Sequence, residues 1–392
     1  MKHLVIKNLG PLKEVDIELD DLNVIIGAQS TGKSCVLKMA CYCSWVEKRI
    51  MLTQALDFYS GKQFINDFVS YYKMHGYIKP NTYVLYESPY LKLDYQENKQ
   101  EDNFTHIKKK NFWQYKRPKL TYVPTERNVV SLFPDFEKLP NTGNHIQDFM
   151  IDWKTARNYK SSSDNILGMG FDYRYDKASN TDFVTTSDST ELELTNTSSG
   201  IQSLLPLFMH LNFVTNLLYQ NGEYNLQNLT IDKKEEVQQL LDFLYKRIGV
   251  PANAKKEFVS SVRLNNQTLK FWFSKETDKE KFEGYVTKLL YNNHTEIFLE
   301  EPENNLFPPT QARLLDWVLD NTIFSSRNDI LFVATHSPYI LSKLLEKDTG
   351  NVKFFFTYPK RDGMYVKTAS QDDISNILAY GVDMFFNFET FI

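Results

Sequence analysis

Alternating and continuous apolar runs divide the chain into a predicted order of elements. "KHLVIKNLGPLKEVDIEL" alternates on both sides of Gly10-Pro11, with Val15, Ile17 and Leu19 on one face, which predicts two strands about a turn. "NVIIG" is a continuous apolar run ending in glycine, the pattern of a strand buried on both faces. "GKSCVLKMACYCSWVEKRI" then predicts a helix, and residues 51 to 79 continue mainly helical. "TYVLYESPYLKLDYQ" and "FTHIKKKNFWQYK" read as outer strands, and "KLTYVP" as a strand stopped by Pro124.

A more polar stretch follows. "NTGNHIQDFMIDWKTARNYK" predicts a short helix with loops, and "FDYRYD", "TDFVTT" and "ELELT" an antiparallel set. "SSGIQSLLPLFMHLNFVTNLLYQ", "DKKEEVQQLLDFLYKRIG" and "KEKFEGYVTKLLYN" predict helices, the second stopped by Gly249. Toward the end the alternation becomes α/β. "EIFLEE" and "DILFVAT" are buried strands, "PTQARLLDWVLDNT" and "SPYILSKLL" helices, and "NVKFFFTY" and "GMYVKTA" late strands. Apolar strands at both ends with outer strands and helices between them predict an α/β fold. A mostly parallel core sheet would carry an antiparallel outer β-lobe and an inserted helical lobe. The expected organisation is one domain over 1–392. Residues 45–118 form an outer insertion, 128–290 a second lobe with a helical insertion, and 291–392 the closing half of the core.

Composition narrows the class. A formal charge of −4 argues against a generally basic nucleic-acid coat but allows a local basic patch. High aromatic content marks a folded chain. The three cysteines, Cys35, Cys41 and Cys43, all fall on one predicted helix, pointing in different directions, and suggest packing in a reducing compartment. No apolar run of spanning length and no signal-peptide core is visible, so the expectation is a cytoplasmic protein without a membrane partner.

Four motifs carry chemistry. Gly27-Ala28-Gln29-Ser30-Thr31-Gly32-Lys33-Ser34 matches G-x-x-x-x-G-K-[ST] between a predicted strand and helix, the setting of a P-loop. Its glycines allow backbone N–H groups, through Cys35, to approach phosphate oxygens. Lys33 would bridge the β- and γ-phosphates of ATP, and Ser34 would hold Mg²⁺. "TEIFLEEPENNLFP" ends a buried strand in Glu300 and Glu301, an expensive pair unless a cation faces it. Glu300 would support the metal and Glu301 would deprotonate the attacking water. "LFVATHSPYIL" ends a second buried strand at His336, placed to reach the γ-phosphate; Ser337-Pro338 reads as a helix cap. "LELTNTSSGIQSLLPL" sets Ser198, Ser199 and Gly200 before an apolar helix, a second anion-binding N-terminus or an ordinary turn.

P-loop, "SSGIQ", "FLEEPENNLFP" and "THSPYIL", in that order, resemble the ABC-type ATPases. The nearest branch holds structural-maintenance-of-chromosomes proteins, DNA-repair ATPases, overcoming-lysogenization-defect nucleases and bacterial anti-phage ATPases. The resemblance covers both ends of the chain and the signature helix, but not about 45–118 or 222–290. It implies that Ser199, Gly200 and Gln202 contact ATP held by a second copy. It also implies that Glu301 is the catalytic glutamate, His336 the switch histidine, and that Asn305 lies near the dimer seam. "YVPTER" occupies the place of the Q-loop without its glutamine, and Arg127 stands there as a γ-phosphate or lid contact. Gln29 where relatives often have Asn, Glu300 for Asp, and Ile201 for a second glycine depart from the pattern.

The function implied is an ATP-gated homodimer or higher oligomer that hydrolyses ATP. It would sense or clamp nucleic acid, or control a separate effector protein, in anti-phage defence or DNA maintenance. An ATP-dependent scaffold caging a toxin or nuclease with little turnover is the alternative. A transporter subunit fits the signature poorly, and a small-molecule kinase leaves Ser199 and His336 unexplained. The tail after His336 is expected to be too short for an added nuclease domain. One patch, "IKKKNFWQYKRPK", interleaves Lys108, Lys109, Lys110, Lys116, Arg117 and Lys119 with Phe112, Trp113 and Tyr115. It suits nucleic acid, although a solvated edge hairpin accounts for it equally plainly and is the favoured reading.

Overall fold

The computed structural model describes residues 2–53, 59, 61–98, 103–140, 143–220, 231–249, 255, 257–264, 267–346 and 351–380. Their centre is an 11-stranded sheet. Its strands are β1 (Lys2–Leu9), β2 (Leu12–Leu19), β3 (Leu22–Ile26), β4 (Ile78–Glu87), β5 (Leu91–Gln96), β6 (Phe104–Lys108) and β7 (Pro118–Val123). After the short strand β8 (Ser162–Ser163) and β9 (Phe171–Asp176), β10 (Thr181–Thr186) and β11 (Glu191–Glu193), the later strands are β12 (Phe258–Leu264), β13 (Gln267–Phe273), β14 (His294–Glu300), β15 (Ile330–Thr335), β16 (Val352–Lys360) and β17 (Gly363–Thr368). The main sheet runs β6-β5-β4-β1-β2-β17-β16-β3-β15-β14-β7.

The sheet has two characters. From β16 through β3, β15 and β14 to β7 every pairing is parallel. From β6 to β2 every pairing is antiparallel. Strand β17 joins the halves, antiparallel to β16 and parallel to β2. The sheet as a whole is therefore mixed, with the expected parallel order confined to its functional half.

The parallel strands are apolar without a break because both faces are covered. Leu22, Val24 and Ile26 of β3 enter one core and Ile25 the other. In β14, Ile297 and Leu299 oppose Phe298; in β15, Leu331 and Val333 oppose Phe332. Phe298 and Phe332 stack at 4.4 Å between centroids. One face is covered by α1 (Lys33–Thr53) and α2 (Gln63–Tyr72), the other by helices including α4 (His145–Tyr159) and α5 (Ser199–Asn212). The four-residue helix α3 (Val129–Leu132) precedes α4. Helix α5 runs on through a π-turn at Phe213–Leu217 to Gln220.

Several elements differ from expectation. The region "NTGNHIQDFMIDWKTARNYK" yields a full 15-residue helix, α4, capped by the Asn144 side chain on the Ile146 and Gln147 amides. The hairpin β12–β13 was not foreseen: its outer positions, such as Val259 and Trp272, stay partly exposed and blur the pattern. The segment Ser199–Gln220 is long and apolar enough to cross a membrane by length and mean composition alone. However, 72% of its window is buried inside the protein, which makes it a core helix. The "IKKKNFWQYKRPK" aromatics are absorbed by the fold. Trp113 stacks on Phe243 and lies under the Arg247 guanidinium, Tyr115 is buried, and Lys119 pairs with Asp152 at 2.8 Å. Trp113 and Tyr115 are thus engaged within the chain, and Phe112, packed on Trp113 at 4.0 Å between centroids, is half-buried.

Candidate functional site

Three parallel neighbours, β3, β15 and β14, end side by side, and three of the four predicted motifs leave their C-terminal ends. This is the edge at which an open α/β sheet presents ligand-binding loops. The loop after β3 turns through Gly27 to Gly32 into α1. Ser30 has φ 61° and Gly32 φ 92°, left-handed positions that wrap the chain back on itself. At Gly27 an added Cβ would lie 1.9 Å from Thr357 Oγ1 on β16. The same Thr357 hydroxyl is 2.5 Å from Thr31 Oγ1, and Thr31 donates to the Ala28 carbonyl at 2.7 Å. Ala28, Gln29 and Ser30 are exposed at the crest of the loop, and Ser34 is half-buried at the first turn of α1. Cys35 faces inward with Cys41 and Cys43; burial pushes its thiol up to about 12, so it packs and does not react.

Lys33 is buried, and its Nζ donates to the carbonyls of Gly27 at 2.9 Å and Ala28 at 2.7 Å. Burial lowers its pKa; the carboxylates of Glu301, Glu303 and Glu300 oppose that shift. The P-loop lysine therefore sits in the field of the acidic motif that ends β14.

Within that motif, Glu300 is buried and accepts a hydrogen bond from the Tyr122 hydroxyl of β7. Glu301 has φ 42°, an uncommon conformation for a side chain of this size. Its amide donates to the Ala334 carbonyl of β15 at 2.8 Å. Its carboxylate faces His336, with Oε1 3.6 Å from the ring Nδ1. The pair polarises itself. Contact with His336 holds Glu301 below the usual carboxylate range, while contact with Glu301 raises His336. Glu303, not singled out from sequence, lies 3.4 Å from the same Nδ1. The only sequence signal for it was a third carboxylate in "EEPE"; its partners come from β15 and could not be read locally.

The serine motif lies at the start of α5. Ser198 caps the helix, its Oγ 3.5 Å from the Ile201 amide, and Ser198 and Ser199 are exposed. A Cβ on Gly200 would be 3.4 Å from the Asn305 carbonyl, so the helix start touches the loop that follows Glu301. The motif is not inside the subunit, and a second molecule can reach it. Gln202 is different: its amide donates to the carbonyls of Leu194, Thr195 and Thr197, the last two at 2.8 and 3.0 Å. It braces the turn before α5, and its amide is occupied within the chain.

Arg127 corrects the sequence reading most sharply. It is fully buried, and its guanidinium donates to backbone carbonyls of the β14 loop. A side chain so enclosed does not extend toward a γ-phosphate.

The residues fit Mg-ATP. A glycine cradle too tight for a Cβ opens onto a helix N-terminus, and a buried lysine stands beside three carboxylates. Among the described residues no group of three or more His, Cys, Asp and Glu side chains, this one included, is placed to hold a metal ion on its own.

No protein-family model and no curated protein matches the chain. Among solved structures, an SMC head domain from Thermotoga maritima aligns with a TM-score of 0.42 at 9% identity, over 94% of this chain and 98% of that one. An Smc head domain with an extended coiled coil, bound to the C-terminal domain of ScpA from Pyrococcus furiosus, aligns at 0.41 and 8%, over 97% and 99%. The recombination mediator protein RecF-ATPrS aligns at 0.31 and 12%, over 94% and 97%. At these scores the likeness carries no argument about function, which rests on the residues themselves.

Proposed function

We propose that the chain binds Mg-ATP on its P-loop and hydrolyses it, using ATP to join two copies of itself. The observation that carries this reading is the convergence of Lys33, Glu300, Glu301 and His336 from the ends of three adjacent parallel strands. When bound, Mg²⁺ neutralises charge on the phosphate oxygens.

The chain's own residues divide the remaining work. The Gly27–Ser34 loop and the α1 N-terminus supply N–H donors to the phosphates, and Lys33 exchanges its loop carbonyls for phosphate oxygens. Ser34 and Glu300 hold the metal, the latter kept in place by Tyr122. Glu301 orients the attacking water and takes its proton. His336, held against Glu301, steadies that carboxylate and faces the phosphate. All of this is positioning and charge stabilisation, with no covalent intermediate.

The exposed Ser199 and the half-buried Gly200 beside it give the second half of the reading. A helix N-terminus that faces solvent beside the Asn305 loop is built to meet an anion from outside the subunit. Phe307, 75% exposed, follows that loop, and Tyr339, 48% exposed, opens the helix after His336. Both suit a surface covered by another copy. In this reading the dimer acts on nucleic acid or on a separate effector in DNA maintenance or defence.

Steady-state ATPase assays and sedimentation with nucleotide test the proposal. Glu301→Gln is expected to stop turnover and accumulate an ATP-bound dimer, and Lys33→Ala to lose nucleotide. Ser199→Arg should retain nucleotide but remain monomeric. A Glu301→Gln protein that turns over ATP at the wild-type rate would remove the catalytic assignment. Nucleotide binding with negligible wild-type turnover would favour the scaffold reading.

A further inference from the structure

We propose that Arg127 is a positioning residue that holds the backbone of Glu301 in its left-handed conformation, an inference that rests on the hydrolytic reading above. Strands β7 and β14 are parallel neighbours, with Val123 opposite Leu299. That register carries the turn Thr125–Asn128 alongside the loop after Glu300. Arg127 Nη1 donates to the carbonyl of Glu300 at 3.2 Å. Nη2 reaches the carbonyls of Glu301 at 3.0 Å, Pro302 at 3.3 Å and Asn304 at 3.4 Å. Four carbonyls of the loop, those of residues 300, 301, 302 and 304, thus point at one guanidinium, a planar fork suited to several acceptors at once.

The arrangement is costly unless the loop needs it. Arg127 is 0% exposed, and among the described residues no carboxylate is within ion-pair distance of it. Burial pulls its pKa down to about 10, with Glu303, Glu301 and Glu300 opposing, so it remains charged at neutral pH. Carbonyls stand in for water at Nη1 and Nη2, while the buried Nε has no partner. Glu301 is meanwhile fixed from both sides: its amide by the Ala334 carbonyl and its carbonyl by Arg127. A glutamate at φ 42° persists only where its surroundings over-determine it. The Asn304 carbonyl also accepts from Ser203 Oγ of α5 at 3.0 Å, so the clamp extends to the helix that begins at Ser199.

The test compares Arg127→Lys with the wild-type chain by ATP turnover, nucleotide affinity and hydrogen exchange over residues 300–306. A lysine keeps the charge but is a point donor and cannot span the carbonyls. Turnover is expected to fall about tenfold to a hundredfold, the range for sub-ångström to ångström misplacement. Nucleotide affinity should stay within about threefold, and the amides of Glu301, Asn304 and Leu306 should exchange faster. In the Glu301→Gln background the same change should lower turnover no further. Should lysine prevent folding, Arg127→Ala with millimolar guanidinium replaces it, and recovery of turnover by the free ion is the expected result. Unchanged turnover, or unchanged exchange, overturns the proposal. Equal losses of turnover and affinity also overturn it, because Arg127 would then be touching nucleotide. An inactive wild-type chain would sink the hydrolytic reading instead, and the exchange measurement alone would decide the positioning.

Discussion

Glu303 holds His336 by its backbone as well as its ring. Oε1 of Glu303 accepts from the His336 amide at 2.9 Å and from the Thr335 hydroxyl at 2.7 Å, and it lies 3.4 Å from the ring Nδ1. The other oxygen, Oε2, is buried without a partner. One carboxylate thus ties the end of β15 to the loop after β14, two residues beyond Glu301.

Glu303→Ala leaves the buried Thr335 hydroxyl and the part-buried His336 amide without an acceptor, and a buried orphan costs about 1–3 kcal/mol. The expected result is a drop in melting temperature together with lost turnover. Glu303→Gln keeps an oxygen for both donors and places its amide where Oε2 has no partner. Its stability should be close to wild type, while turnover falls about tenfold because the charge beside His336 is gone. Thermal melts and ATPase assays on the two variants check this. Equal activity in the glutamine variant and the wild type would show that Glu303 serves packing alone.

Glu301 pays for its place with backbone strain. A non-glycine residue in the left-handed region is destabilised by about 1 kcal/mol, and glycine or asparagine is not. Glu301→Asn is therefore expected to stop turnover and to raise the unfolding free energy by up to about 1 kcal/mol. Denaturant titration measures this; a clear loss of stability would mean that the carboxylate contact with His336 outweighs the strain.

The parts of the site that the sequence made legible are those carried by continuous segments. The loop from Gly27 to Ser34 and the strands ending at Glu300 and His336 are apolar runs followed by polar residues. The parallel sheet, covered on both faces, imposes that pattern directly. What stayed hidden depends on which strands are neighbours. Arg127 turns inward because β7 pairs with β14, and Glu303 meets Thr335 because β14 pairs with β15. Neither pairing is written in local periodicity. The packing of Trp113 stayed hidden for a similar reason. Its partners Phe243 and Tyr285 lie on helices far along the chain, so a ring that reads as available for stacking is already packed.

His210, on α5, gives a pH signature away from the catalytic residues. It is fully buried, with Nε2 2.7 Å from the Thr121 hydroxyl. Burial lowers its pKa from 6.5 to about 4; Asp152 opposes the shift and Lys119 adds to it. The unfolded chain therefore takes up a proton near pH 6.5 that the folded chain refuses until about pH 4. The stability from this group is full above pH 6.5 and is lost progressively as pH falls toward 4. Between pH 7 and 5 the loss is about 2 kcal/mol. His145 is lowered in the same direction, so the comparison must be with a variant. His210→Gln should be less stable at pH 7 but lose about 2 kcal/mol less on acidification, read by urea unfolding at both pH values. Identical slopes in variant and wild type would show that His210 is not held neutral.

Thr357 explains why Gly27 tolerates no side chain, and the explanation separates two kinds of repair. A Cβ on Gly27 meets Thr357 Oγ1 at 1.9 Å and the Thr357 backbone carbonyl at 2.8 Å. The first obstacle is a side-chain atom that substitution removes; the second is part of β16 and stays. Gly27→Ala is expected to weaken ATP binding at least tenfold by pushing the loop off the strand, because phosphate-binding N–H groups tolerate little displacement. Thr357→Ala alone should weaken it less, since it removes only the contact with Thr31 and the bond to the Ile26 carbonyl at 3.2 Å. Combining them should restore part of the affinity lost in Gly27→Ala, but not all of it. Nucleotide titration of the three variants gives the coupling directly. Strict additivity would mean that the loop is shaped by its own turns and owes nothing to Thr357.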